Sequence, residues 1–188
     1  MLYVGVDAHK ATSQITVMDE SGKVVKRKRV KSSRAEFEEA LGRYREPLKS
    51  VVEASYCWGP MYDWLTELSE EVVLAHPGKV RAIAEARIKT DKIDSETLAH
   101  LLRADLIPAA YAPSKEVRAI KRVLRQRLFL VRVRTMLKNR IRALLAQHSV
   151  ELPEVSDLYG KAGLSWLKEL RLPEPEGRLL EEDLSCLL

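Results

Sequence analysis

The sequence predicts an α/β protein, a mixed β-sheet with helices on both faces followed by a long helical region. Two observations carry that expectation. Three strand-like runs at the start give way to alternating helical and strand-like segments, and residues 114–147 then run at helical spacing without one Pro or Gly.

Leu2 to Asp7 is an apolar run that ends in a carboxylate, and Ala11 to Asp19 alternates through Ser13, Gln14, Ile15, Thr16 and Val17 as a strand does. Glu20-Ser21-Gly22-Lys23 supplies a turn, so Val24 to Lys31 returns as the half-exposed third strand of an antiparallel meander. Ser32 or Ser33 caps a helix with Phe37, Leu41 and Tyr44 at helical spacing, stopped by Pro47. Leu48 to Ala54 contains the buried-strand core Ser50-Val51-Val52-Glu53, again with an acid at its C-terminal end. Gly59 to Ser69 reads as a helix through Met61, Trp64, Leu65 and Leu68, Glu71 to Ala75 as a strand, and Pro77 opens a helix over Gly78 to Ala86. Lys89-Thr90-Asp91-Lys92-Ile93-Asp94 leads into a helix through Leu98, Leu101 and Leu102, and the prolines between Asp105 and Pro113 mark a boundary.

The expected organisation is therefore a domain over residues 1–113, a long basic helix or coiled coil over 114–148, and a helical stretch over 149–188. In the long helix Val117, Ile120, Leu124, Leu128 and Val131, then Leu130, Val133, Leu137, Ile141 and Leu144, recur at three- and four-residue steps. One helix, or two with a small break, fits this pattern. Its length calls for a partner helix from this chain or from another copy, so a homo-oligomer, a dimer or tetramer, is expected. Beyond it Pro153, Gly160 and Gly163 interrupt the chain, Trp166, Leu167, Leu170 and Leu172 form a small apolar patch, and Leu179 to Leu188 is helical without a cap. An uncapped last stretch is expected of a fragment, or of a protein that stops before its next domain.

Composition, at 46% hydrophobic and 31% charged residues, is that of a globular protein, and no stretch is apolar enough to span a bilayer. The opening apolar run contains Asp7 and so lacks the core of a signal peptide, which makes a cytoplasmic protein with no membrane partner the expectation. Cys57 and Cys186 lie far apart and are read as free thiols. Net charge is +5 but uneven: Ser114 to His148 holds eleven Lys or Arg against Glu116 alone, or +10, leaving −5 for the rest. Without a bound polyanion such a run repels itself, and Arg118, Lys121, Arg122, Arg125, Arg132, Lys138 and Arg140 are candidate nucleic-acid contacts. A solvated helix face is the plain alternative.

Four acids carry the candidate chemistry. Asp7 and Glu53 each end a strand and can be neighbours in a mixed sheet, while Asp91 and Asp94, three residues apart, share a face if both lie in the first turn of a helix. Converging carboxylates are what a pair of divalent metals needs for phosphodiester chemistry, and a helix N-terminus offsets part of the repulsion between two acids. Taken singly, Asp7 reads as a turn residue, Glu53 as a strand-end acid and Asp91 or Asp94 as a helix cap. Their joint occurrence on this element order is what supports function. Lys10, Lys89 and Lys92 flank the acids and are candidate phosphate contacts, or surface ion pairs. His9 and His76 read as structural, since a hard cation prefers oxygen, and Trp58, Tyr62 and Trp64 read as core packing.

Gly5-Val6-Asp7-Ala8-His9-Lys10, Val52-Glu53-Ala54-Ser55 and Lys89-Thr90-Asp91-Lys92-Ile93-Asp94-Ser95 resemble the three acidic motifs of the DEDD transposases, the recombinases of the IS110 group of insertion sequences, with the related Piv DNA invertases. Leu74-Ala75-His76-Pro77 and Lys138-Asn139-Arg140-Ile141 extend the likeness over most of the chain. The resemblance implies a RuvC-like, RNase H-fold domain that binds Mg²⁺ (or Mn²⁺) through Asp7, Glu53, Asp91 and Asp94, then a coiled coil. It implies DNA as substrate, a structured bridge RNA as guide, and a nucleophilic serine in a separate C-terminal transposase domain toward which residues 149–188 lead. Tyr56 departs from the pattern, since many relatives have Gly there.

Three other readings compete. An ATPase of the actin and sugar-kinase type shares the opening strands, but Ala8-His9-Lys10-Ala11 has no Gly to admit a phosphate and no Gly-rich phosphate loop comes later. A non-catalytic module that binds nucleic acid and oligomerises is the stronger rival, and a RuvC-like nuclease is the third.

Overall fold

A computed structural model describes residues 1–83 and 91–187, the side chains of residues 91–93 excepted. The chain forms two compact units, Met1–Ala112 and Pro113–Leu188.

In the first unit β1 (Leu2–Ala8), β2 (Thr12–Met18) and β3 (Val24–Lys31) make the expected meander. Its second turn is held by Asp19, whose Oδ1 accepts from Ser21 Oγ at 2.6 Å and Lys23 N at 3.0 Å, and Gly22 takes the φ of +88° that the turn needs. Then come α1 (Arg34–Leu41), β4 (Leu48–Glu53), α2 (Trp58–Leu68), β5 (Glu71–Ala75), α3 (Pro77–Ile83) and α4 (Asp91–Arg103). The helix α1 stops at Gly42, earlier than the spacing of Tyr44 predicts, although Tyr44 still packs against the core.

The sheet order is β3-β2-β1-β4-β5, with β2 antiparallel to both neighbours and β4 and β5 parallel to β1. Val4, Val6, Ile15, Val17, Leu48 and Val52 turn toward one face and pack on Phe37, Leu41, Met61 and Leu65 of α1 and α2. Tyr3, Val51 and Val73 turn toward the other and meet Leu98, Leu101 and Leu102 of α4 and Val80 of α3. The chain thus folds as a mixed sheet with helices on both faces.

On the second face α4 comes unusually near to β1. A β-carbon on Gly5 would stand 2.0 Å from the carbonyl oxygen of Ser95 and 2.7 Å from the amide nitrogen of Ala99. The fully buried Thr16 Oγ1 and Ser95 Oγ hydrogen bond at 2.8 Å across the same contact. At the far end of the helix Arg103 donates to the carbonyl of Glu20, beside the N-terminal end of β1. The helix therefore runs antiparallel to β1 and begins at the end where β1 and β4 finish.

The second unit holds α5 (Lys115–Gln147), α6 (Lys161–Glu169) and α7 (Glu176–Leu187). The helix α5 is continuous over 33 residues, so the basic stretch has no break. Ser114 caps it by accepting from Val117 N, and the same hydroxyl is the main reason the Glu116 carboxyl sits below its ordinary pKa. Ile141, Leu144 and Leu145 form a core with Leu158, Leu167, Leu180 and Leu184, whereas every residue from Lys121 to Leu130 is exposed. Among the described residues no helix is long and apolar enough to cross a membrane.

The Gly5 contact yields a prediction. Gly5→Ala forces β1 and α4 apart, and overpacking of this kind costs about 3 kcal/mol or more when both clashing partners are backbone. Urea unfolding of the two proteins measures it; a loss under about 1 kcal/mol would show that α4 shifts freely.

Candidate functional site

The two strand acids lie side by side. The parallel register sets Val6 against Val52, and one step on it brings Asp7 and Glu53 together at the ends of adjacent strands, spaced by about 4.8 Å between backbones. Side chains alternate along a strand, so Asp7 shares its face with Gly5 and Glu53 shares its face with Val51, which is the α4 face for both. Both acids are partly buried, and Asp7 Oδ2 lies 3.1 Å from His9 Nε2.

The Gly5 contact also sets where α4 begins relative to the strand ends. Ser95 stands over Gly5, and from there two strand residues advance about 6.7 Å toward Asp7 while four helix residues retreat about 6 Å toward the start of α4. Asp94, next to Ser95, is partly buried in the first turn, and Asp91 is the first residue of α4. The side chains of Asp91 and Lys92, and Lys89 altogether, lie outside the described residues. Among the described residues no three His, Cys, Asp or Glu side chains stand close enough to hold a metal ion. The donor chemistry nonetheless suits a hard cation, because every candidate ligand offers carboxylate oxygen.

The neighbouring loop is tied to the strand ends. Ala54 N donates to Ala75 O at 3.0 Å, Ser55 N to Glu53 O at 2.7 Å, and Cys57 Sγ to Ala8 O at 3.6 Å. Tyr56, in the midst of these bonds, is 83% exposed. His76 Nδ1 accepts from Lys79 N at 3.4 Å at the start of α3, a structural role. Trp64 meets Phe37 edge-on at 5.4 Å and Trp58 meets Tyr62 at 5.7 Å against the core, as packing residues do.

The candidate cations on α5 belong to the second unit and differ in setting. Lys121, Arg122, Arg125 and Arg132 are exposed and Arg118 is partly so. Lys138 Nζ lies 4.5 Å from the ring centroid of Tyr159, whose hydroxyl donates to Lys138 O and is raised in pKa chiefly by burial. Arg140 Nε stands 2.8 Å from Asp183 Oδ2, near enough for an ion pair but not aligned as a hydrogen bond. Lys138 and Arg140 thus also serve the internal packing of this unit.

Two residues that build this end of the sheet give little sign of it in the sequence. Gly5 belongs to the first acidic motif, but nothing local marks it as the seat of α4, and Gln14, 5% exposed, stands directly across from Asp7 on β2. Alternating burial in β2 is legible, but which polar residue it buries beside Asp7 depends on pairing register.

A mixed α/β domain that finishes two central strands in neighbouring carboxylates, with a helix that starts at the same end, is the class these features define. The IS110-type DEDD transposase family model, described as a transposase, matches residues 4–150, and the chain belongs to that family. It is 26% identical over 174 residues to the transposase for insertion sequence element IS1533 of Leptospira borgpetersenii, covering 90% of this chain and 50% of that protein. A second relative, a putative transposase from Sinorhizobium fredii, is 23% identical over 190 residues, covering 97% and 48%. The chain spans about half the length of the curated relatives it matches. Among solved structures it is similar to T. thermophilus RuvC in complex with Holliday junction substrate, with a TM-score of 0.43 and 18% identity over 58% of this chain and 98% of that one.

The Thr16–Ser95 bond tests how α4 is held over the acids. Thr16→Val or Ser95→Ala alone strands a buried hydroxyl and costs about 1–3 kcal/mol, and the double variant should cost less than the sum. Strict additivity in denaturant unfolding would show that the two hydroxyls do not act together.

Proposed function

We propose that this chain is the metal-binding part of a DNA transposase or site-specific recombinase of an insertion sequence, in which Asp7, Glu53, Asp91 and Asp94 hold Mg²⁺ or Mn²⁺ and DNA phosphodiesters are the substrate. The observation that carries the reading is the parallel register that makes Asp7 and Glu53 neighbours on the face where α4 begins. A divalent cation bound there supplies activation of an attacking oxygen and neutralisation of a leaving oxygen. The protein's part is to fix carboxylates at the ends of two central strands, with Gly5 setting how closely α4 approaches them. Residues 1–113 form the catalytic domain, 114–148 a basic coiled coil, and 149–188 a linker toward a C-terminal transposase domain.

The attacking serine belongs to that other domain. Ser95 is fully buried and bonded to Thr16, Ser114 is engaged as a helix cap and with the Glu116 carboxylate, and Ser55 Oγ lies 3.4 Å from Cys57 Sγ, so each hydroxyl is already used by the fold. The exposed cations of α5 suit DNA and a structured guide RNA. A cytoplasmic location accompanies a DNA substrate. The alternative, a module that binds nucleic acid without catalysis, shares this fold and draws its support from the exposed cations of α5.

The same helix supports self-association. Ile120, Leu124 and Leu128 are each more than half exposed and follow helical spacing, with Val131 next on the same face, and a stripe of this kind is covered by a second copy.

Two measurements test these readings. Terbium luminescence should report a site that Asp7→Asn and Glu53→Gln each weaken at least about tenfold, and equal binding by wild type and both variants would remove the metal assignment. Sedimentation should give a dimer or larger assembly that Leu124→Asp with Leu128→Asp reduces to monomer; a wild-type monomer at high concentration would refute self-association.

A further inference from the structure

A second basic region lies outside α5. From Ser21 to Ala35 the chain has seven Lys or Arg and no acid, and most of them fall on β3, which is an edge strand. Cations on an edge strand commonly serve to block pairing with another sheet, and one or two suffice for that. Here they continue to the end of the strand and are only partly matched. Arg27 pairs with Glu96 of α4 and Lys28 with Glu39 of α1 at 2.6 Å, both nearer the middle of the strand.

The pairing registers show where the remainder stands. Gln14 is opposite Asp7 on one side and opposite Arg29 on the other, so Arg29, Gln14, Asp7 and Glu53 form one row across the sheet. Residues directly opposite share a face, which puts Arg29 on the α4 face with the acids, about 10 Å from Asp7 across two strand spacings. The Arg29–Thr12 contacts, at 3.1 Å from Nη2 and 3.3 Å from Nε, draw the guanidinium toward the end of the sheet where Asp7 lies. Lys31, two residues on and exposed, pairs with Thr12. Beyond it Ser32 Oγ donates to His9 O at 2.7 Å and Ser32 N to Ala11 O at 3.1 Å, which seats the end of β3 against the turn that carries Lys10. Arg29, Lys31 and Lys10 therefore make a cationic border along one side of the acidic end of the sheet.

We propose that Arg29 and Lys31 at the end of β3 bind the phosphate backbone of a nucleic-acid strand and guide it, past Lys10, to the row of Asp7 and Glu53. The proposal rests on the reading of that row as a metal centre for phosphodiesters. Acids alone repel a phosphate backbone, so a border of cations is what brings one to them. The guanidinium and ammonium donors recognise phosphate without reading sequence, and the contacts position the strand. DNA and RNA backbones share this chemistry.

The test uses the full chain, with wild type, Arg29→Gln/Lys31→Gln, and Arg29→Lys/Lys31→Arg. Binding to duplex DNA, single-stranded DNA and an RNA hairpin is measured against salt, with circular dichroism to check folding and terbium luminescence to follow the acids. Loss of two phosphate contacts lowers the slope of log affinity against log salt by about 1.8 on duplex DNA and about 1.4 on a single strand, and the charge-conserving pair restores it. The arm in which the slope falls identifies the polymer. Unchanged slope and affinity in all three arms, with terbium still bound, would overturn the basic border and leave the metal reading in place. A lower slope in a wild-type background that binds no terbium would do the reverse, keeping the border and removing the centre it was to serve.

Discussion

At Gly5 the backbone of β1 meets the backbone of α4 with no room for a β-carbon, and the geometry of the acidic end of the sheet depends on that contact. Ser95 O and Ala99 N occupy the space a side chain would fill, and the Thr16–Ser95 hydrogen bond fixes the helix in register along the strand. Because Arg103 sits at the opposite end beside Glu20, the direction of α4 is set as well. A larger residue at position 5 would lift the whole helix, and with it the first turn that contains Asp94. One missing methyl group thus couples the packing of the second face to the placement of charged groups two residues further along β1.

Legibility in the sequence tracks the range of the physics involved. The meander, the alternation of later helices and strands, and the unbroken α5 are all readable, since burial periodicity and turn chemistry act over a few residues. Phe37 and Leu41 mark α1, but its end at Gly42 is less clear because Tyr44 reaches the core from outside the helix. The acids are legible as strand ends and as an i, i+3 pair, and through the family motifs. Their proximity is not, for the step from Val6 and Val52 to Asp7 and Glu53 is a matter of pairing register between strands more than forty residues apart in sequence. Gln14 and Arg29 escape notice for the same reason. A charge run such as Lys26-Arg27-Lys28-Arg29 alternates faces in a strand, and only the pairing tells which of its cations look toward Asp7.

The two units treat hydrophobic surface differently. In the first, both faces of the sheet are covered, and Trp58, Tyr62 and Trp64 complete one of them. In the second, the core gathers only the C-terminal turns of α5 with α6 and α7, and leaves the apolar side chains from Ile120 to Leu130 uncovered among cations. Helix propensity alone supports an isolated helix of this length poorly when like charges are so concentrated. A second copy covering the apolar stripe and a polyanion neutralising the cations would each remove part of that difficulty, and would reinforce one another on a single element.

Charge is arranged by the same logic in the first unit, at shorter range. Carboxylates at the ends of β1 and β4 repel one another, and a cation between them relieves that repulsion. Arg29 stands beyond Gln14 in the same row, about two strand spacings from Asp7, and its guanidinium contacts Thr12. That separation matters. A guanidinium in contact with Asp7 would compete with a metal ion for the carboxylate, whereas one displaced by a neutral residue does not, and still attracts a phosphate backbone toward the acid. The buried Gln14 takes the position between Arg29 and Asp7 in that row, so the strand next to the acid contributes a neutral side chain and the cation comes from the strand beyond.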